Sequence, residues 1–253
     1  AVERALSDAG YVLIVGDSHD DVVSEQRVTG SLLDRQVDGM IVAPAAGSER
    51  FTLPEITRTA TPLVLIDRGV AAGCDQVGPE NFEAAKSLTE HLLDRGHRRV
   101  AVVRGIAGIS STIERFEGYC AALAGRGIAI DPALVLDGES STDAAERVVY
   151  ALMSDVDRPA ALVSLNNAMT IGTLKALRGL GLSIPNDVAF ACYDDFEWSD
   201  LFEPRLTAAA QDVDTIGTTA VELLLARMRG NADAPQQIRV PTTFHHRNSC
   251  GCS

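Results

Sequence analysis

No apolar run in these 253 residues approaches the roughly 20 needed to cross a bilayer as a helix. Basic clusters are missing as well, and the formal net charge is −13. Affinity for nucleic acid rests on cations that neutralise phosphates, so these residues are poorly suited to gripping DNA. The opening Ala1-Val2-Glu3-Arg4-Ala5-Leu6 has no basic start followed by an apolar block, and no secretory signal is visible. The five cysteines, Cys74, Cys120, Cys192, Cys250 and Cys252, form no even framework. Reduced thiols in a cytoplasmic protein are expected, packing as small apolar groups. Cys250-Gly251-Cys252 with His245-His246 close by could be half a metal site, but the spacing matches no common zinc pattern and a terminal tail is usually solvated, so neither metal nor cofactor is expected.

The machinery of catalysis is also sparse. No Gly-rich phosphate loop carries a lysine, Arg104-Gly105-Ile106-Ala107-Gly108 being the nearest approach. No serine stands in a nucleophile elbow. His19, His91, His97, His245 and His246 show no metal spacing and none follows a strand. Asp194-Asp195 supply paired carboxylates with no nucleophile nearby. These absences favour a binding module over an enzyme.

What is present is a regular alternation. Short apolar runs at Tyr11–Gly16, Gly39–Ala43, Pro62–Ile66, Val100–Val103, Ala160–Leu165 and Val188–Tyr193 read as strands buried on both faces. Between them lie segments of helical period. Ala85, Leu88 and Leu92 step by three and four toward Gly96, a C-terminal stop. Val213, Ile216, Ala220, Leu223 and Leu224 follow Asp212, a plausible N-cap. Thr170 to Leu182 is helical and ends before Ile184-Pro185-Asn186-Asp187. The fold class is therefore α/β, with parallel sheets in two Rossmann-like lobes. The chain opens on a helix, Val2 to Ala9, where a doubly wound sheet normally opens on a strand, so the first strand is expected to be missing.

In such sheets ligands meet the loops at the carboxyl ends of the strands. Those corners read Asp17-Ser18, Ala43-Pro44, Asp67-Arg68, Arg104-Gly105, Asn166-Asn167 and Asp194-Asp195. The helix after Arg104 opens with Ser110-Ser111-Thr112 and carries Arg115 one turn later. Carboxylates, amides, hydroxyls and guanidiniums together suit a small polar, polyhydroxylated or heterocyclic ligand. The bland reading competes at each position: Asp67-Arg68 as a local ion pair, Asp194 as a turn cap, Arg115 as a solvated helix charge, and one of Asn166-Asn167 as a helix N-cap.

Several motifs carry a resemblance. They include Val37-Asp38-Gly39-Met40-Ile41-Val42, Pro62-Leu63-Val64-Leu65-Ile66-Asp67-Arg68 and Glu90-His91-Leu92-Leu93-Asp94-Arg95-Gly96-His97. Glu114-Arg115-Phe116-Glu117-Gly118-Tyr119, Pro185-Asn186-Asp187-Val188, Tyr193-Asp194-Asp195 and Pro204-Arg205-Leu206-Thr207 follow in order, then Gln211 and Arg247-Asn248-Ser249-Cys250. This series resembles the lac-repressor family of bacterial transcription regulators. The resemblance implies a periplasmic-binding-protein type I effector domain that forms a homodimer, with operator DNA held only by a helix-turn-helix headpiece absent from these residues. It implies lobes of residues 1–78 with 213–238 and 79–212 with 239–253. It implies that a small-molecule effector, a sugar or sugar derivative, sits between the lobes and shifts the population competent for DNA. The effector-binding residues it implies are Asp67, Ser111, Arg115, Asn166, Asp194 and Gln211, with Asp17, Arg68, Arg104 and Trp198 as additions. Asn167 stands where the family usually has Asp, and Ser140 where the lac repressor presents an aromatic ring. The rival of the same fold is a secreted sugar-binding protein of a transporter.

Overall fold

The computed structural model describes residues 1–196, 199–201 and 203–252. It divides into two compact units, Ala1–Pro79 with Gly108–Ser111 and Asp212–Pro241, and Glu80–Ala107 with Thr112–Gln211 and Thr242–Ser253.

The first unit is built on a parallel sheet of β1 (Met40–Val42), β2 (Leu63–Ile66), β3 (Asp75–Pro79) and β9 (Gln237–Val240), in that order. The pleat sends alternate residues of β2 to opposite faces. Leu63 and Leu65 join Met40, Val42, Leu53 and Ile56 on one side. Val64 joins Val77, Ile216, Ala220 and Leu224 on the other, beneath α8 (Val213–Met228). Asp212 caps α8 as expected, its carboxylate accepting from the Thr215 amide at 2.9 Å. A buried ion pair ties β3 to α8: Asp75 accepts from Arg227 Nε at 2.6 Å and Nη2 at 3.0 Å, and from the Gln236 amide at 2.7 Å.

The second unit carries a six-stranded sheet in the order β10-β8-β7-β6-β4-β5, where β4 is Val100–Arg104, β5 Val135–Asp137, β6 Ala161–Ser164, β7 Ala189–Tyr193, β8 Thr207–Ala210 and β10 Thr243–His245. β10 alone runs antiparallel, against β8. Helices α4 (Phe82–Asp94), α5 (Ser110–Gly125), α6 (Thr142–Met153) and α7 (Asn167–Gly179) complete the alternation. One continuous apolar cluster fills the unit, from Leu88 and Leu92 of α4 through Val102, Leu162 and Phe190 to Met169 and Leu177 of α7. Gly172 sits where α6 and α7 meet, and a Cβ there would lie 2.2 Å from the Thr142 carbonyl oxygen, so only glycine permits that approach.

The expected α/β class with parallel sheets is what the structure shows, with three corrections of detail. Tyr11–Gly16 is not a strand: it joins no ladder among the described residues, and Val12 and Val15 stand 90% and 79% exposed. A cavity of about 1160 Å³ lies along it, lined also by Leu6, Val28, Met40 and Ile41. The apolar pattern is there, but a strand needs a neighbour about 4.8 Å away to take its amides. The second correction is the crossing near residue 238. Arg239 and Val240 pair with Gly78 and Pro79, so the first unit continues to Pro241. The third concerns Gly108–Ser111, which group with the first unit, where Ser110 Oγ accepts from the Gly69 amide at 3.0 Å.

Candidate ligand-binding site

The carboxyl ends of β6, β7 and β8 are neighbours in the second sheet, and they gather the polar corners there. Arg115 on α5 is buried, with 6% of its surface exposed, and is held on three sides. Nε donates to Asn81 Oδ1 at 2.8 Å, Nη1 donates to the Leu165 carbonyl at 2.8 Å, and Cζ lies 3.6 Å from the centre of the Tyr193 ring. Among the described residues Nη2 has no partner. A guanidinium stacked on an aromatic face and forked by two acceptors is pre-oriented. Asn81 is itself fixed, donating to Glu114 Oε2 at 2.7 Å, and the Tyr193 hydroxyl donates toward Asn81 Oδ1 at 3.2 Å.

Asn166 stands at the N-cap of α7, where its Oδ1 accepts from the Met169 amide at 2.9 Å. The capping role foreseen for one of the two asparagines thus falls to Asn166, and among the described residues its Nδ2 has no partner. Asp194 adopts φ 76°, in the left-handed region. Gln211 Nε2 donates to its Oδ1 at 2.5 Å and the Asn167 amide to its Oδ2 at 3.1 Å. The structure therefore brings Arg115, Asn166, Asp194 and Gln211 to one edge of one sheet. Next to them Asp195 takes both ends of Arg247, at 2.7 and 2.8 Å. Burial alone would raise the Asp195 carboxyl, but Arg247 and Ser199 hold it below the usual carboxylate range.

Other predicted residues have different surroundings. Arg104 pairs with Asp137 at 2.6 Å and lies 5.0 Å from the Phe116 ring centre, so its charge is committed within its own surface. In the first unit, Asp67 (φ 67°) and Asp20 both accept from Arg68, at 3.2 and 2.6 Å. The local ion pair read from the sequence is present, extended by a third residue that spacing did not indicate. Asp17 is exposed and accepts from the His19 amide at 2.8 Å. Ser111 is buried and lies one helical turn before Arg115 in α5. Trp198 lies outside the described residues.

Sequence reasoning missed the two residues that orient Arg115. Asn81 occupies the N-cap position of α4 yet makes no capping bond, because Glu80 Oε1 takes that role from the Phe82 amide at 3.0 Å. Tyr193 ends a fully buried strand, and a tyrosine there must find a partner for its hydroxyl. That rule was a usable signal.

The profile of the periplasmic binding protein-like domain matches residues 89–250. The chain belongs to that family. Within it, the chain is 27% identical over 251 residues to the HTH-type transcriptional repressor PurR of Erwinia tasmaniensis, covering 98% of this chain and 74% of that repressor. A complex of the transcriptional regulator CelR with cellobiose superposes with a TM-score of 0.88 at 26% identity, over 98% of this chain and 76% of that one. A LacI family regulator from Enterococcus faecium with bound ribose gives a TM-score of 0.87 at 26% identity, over 98% and 90%. The lac-repressor resemblance read from the sequence stands. These relatives are transcription regulators.

Proposed function

We propose that this chain is the effector-sensing domain of a bacterial transcription regulator and that it binds a sugar or sugar derivative through Arg115, Asn166, Asp194 and Gln211. The observation that carries the reading is the buried, stacked Arg115, which keeps Nη2 unpartnered among the described residues while Asn166 and Asp194 follow two neighbouring strands of the same sheet. A fork of donors, an amide and a carboxylate can each meet a hydroxyl pair of a sugar. Relatives support the class, since two solved regulators hold cellobiose and ribose.

No helix among the described residues is long and apolar enough to cross a membrane. The reading places the protein in the cytoplasm as a homodimer, with operator DNA contacted by a helix-turn-helix segment outside these acidic residues. It works by population shift: an effector that binds one arrangement better than the other changes the fraction competent for DNA. No catalytic turnover is part of it.

The test is thermal stabilisation by a panel of sugars, sugar phosphates and nucleosides. One class is expected to raise the melting temperature of the wild type, and Asp194→Asn to abolish the rise while melting near the wild type without ligand. Stabilisation that survives Asp194→Asn and Gln211→Ala alike rejects the site; a ligand consumed over hours rejects the non-catalytic reading.

A further inference from the structure

The C-terminal segment is not the solvated tail its sequence suggests. Cys250 is 1% exposed and packs in the core of the second unit, with its thiol 3.2 Å from the Arg247 carbonyl. Beyond it, Gly251 takes φ 80°, a left-handed turn open to glycine at no steric cost, and the chain reverses so that Cys252 returns to the same side. There it meets the last turns of α4, where Cys252 Sγ lies 3.6 Å from His91 Nε2. His246 stacks edge-on against His91, with ring centroids 4.7 Å apart and planes at 80°. The ligand atoms of His91, His246, Cys250 and Cys252 all lie within 4.8 Å of one another.

We propose that these four side chains form a Cys2His2 binding site for a divalent zinc-like cation. Tetrahedral zinc, with Zn–S near 2.3 Å and Zn–N near 2.0–2.1 Å, sets its ligand atoms roughly 3.3–3.8 Å apart. The observed cluster needs a contraction of about 1.5 Å at most to reach that. Two of its members, the exposed His246 and the half-buried Cys252, are free to supply the movement by side-chain rotation. Two thiols and two imidazoles form a soft to borderline donor set, which selects zinc over magnesium or calcium. No carboxylate belongs to the set. The neighbouring guanidinium is turned to the backbone, Arg95 donating to the Gly251 carbonyl, a contact that also holds the turn between the two cysteines.

The consequence is a staple between residues 161 positions apart, closing the C-terminal segment onto α4. Because β10 and the Arg247–Asp195 clamp belong to that segment, an ion there would stiffen the strand next to β8 and the corner beside Asp194. The ligands must lose their thiol protons on binding, so the site also releases protons as it fills.

The experiment uses the whole chain, reduced, treated with chelator and titrated with cobalt(II) as the spectroscopic probe, then with zinc against a chromophoric chelator. One equivalent per chain is expected, with thiolate-to-cobalt charge transfer and the intense visible bands of a tetrahedral site, displaced by zinc. Cys252→Ser and His246→Ala, both outside the core, should each weaken zinc binding at least about tenfold. Cys74→Ser and Cys120→Ser should leave it unchanged. Absence of the charge-transfer band, an octahedral spectrum, or binding unchanged in both Cys252→Ser and His246→Ala would overturn the assignment.

Discussion

Residues 161–164, Ala-Leu-Val-Ser, and residues 11–15, Tyr-Val-Leu-Ile-Val, share an apolar alphabet, and the second run is the more hydrophobic. Yet Leu162 and Val163 are fully buried in β6, with ladders to β4 and β7, while Val12 and Val15 face outward along a 1160 Å³ cavity and pair with nothing. Hydrophobicity alone does not make a strand. Buried amides need partners, and β6 has ladders on both sides while residues 12–16 join none among the described residues. The first unit also carries buried polar links, such as Asp75–Arg227 between β3 and α8 and Glu25, which accepts from Ser48 Oγ at 2.5 Å and the Ala45 amide at 2.7 Å.

The largest effect expected from this contrast is at Leu162. Leu162→Ala should cost about 3 kcal/mol in denaturant unfolding, whereas Leu13→Ala, at a site 37% exposed, should cost under about 1 kcal/mol. Equal losses would mean that residues 11–16 are packed. Arg115→Ala comes next, at about 2–3 kcal/mol, because it strips Asn81 Oδ1 and the Leu165 carbonyl of their buried donor. That is why Asp194→Asn, and not Arg115→Ala, separates binding from folding.

Asp75→Asn should cost about 2 kcal/mol at neutral pH. Burial pushes the Asp75 carboxyl up, but Arg227 and the Gln236 amide more than offset this and hold it below the ordinary range. A depressed carboxyl stabilises the fold above its unfolded pKa of about 4 and loses that contribution as pH falls through the lower folded value. Acid titrations of the melting temperature of wild type and Asp75→Asn should therefore converge below about pH 4; parallel curves would remove the ion pair from the account. The subtlest effect is kinetic. Amides of residues 12–15 should exchange with solvent orders of magnitude faster than those of 161–164 and 189–193, as unpaired and doubly paired backbone must.

Much of the fold was legible because its signals are local. Runs such as Pro62–Ile66 and Val188–Tyr193 became β2 and β7, Asp212 and Asn166 cap the helices they precede, and Gly96 takes the left-handed φ of 92° its stop requires. Strands β3, β5, β8, β9 and β10 escaped because their residues, Asp75-Gln76-Val77-Gly78-Pro79 among them, are polar, short or interrupted by glycine and proline. Such strands form by pairing with partners already in place, and pairing leaves no mark on a single segment. The corners Asn166 and Asp194 were visible for the same local reason: each ends a strand.

By itself the sequence determined the α/β alternation, the strand-end polar residues and the family to which they belong, since periodicity, caps and motifs act over a few residues. Tertiary structure alone decided the rest. Among the described residues it gives 11–16 no ladder, because that needs a neighbour. It seated Arg115 between Asn81 and Tyr193, and it carried Cys252 back to His91 across 161 positions of chain. Contacts of that range depend on the packing of whole units, and no spacing along the chain encodes them.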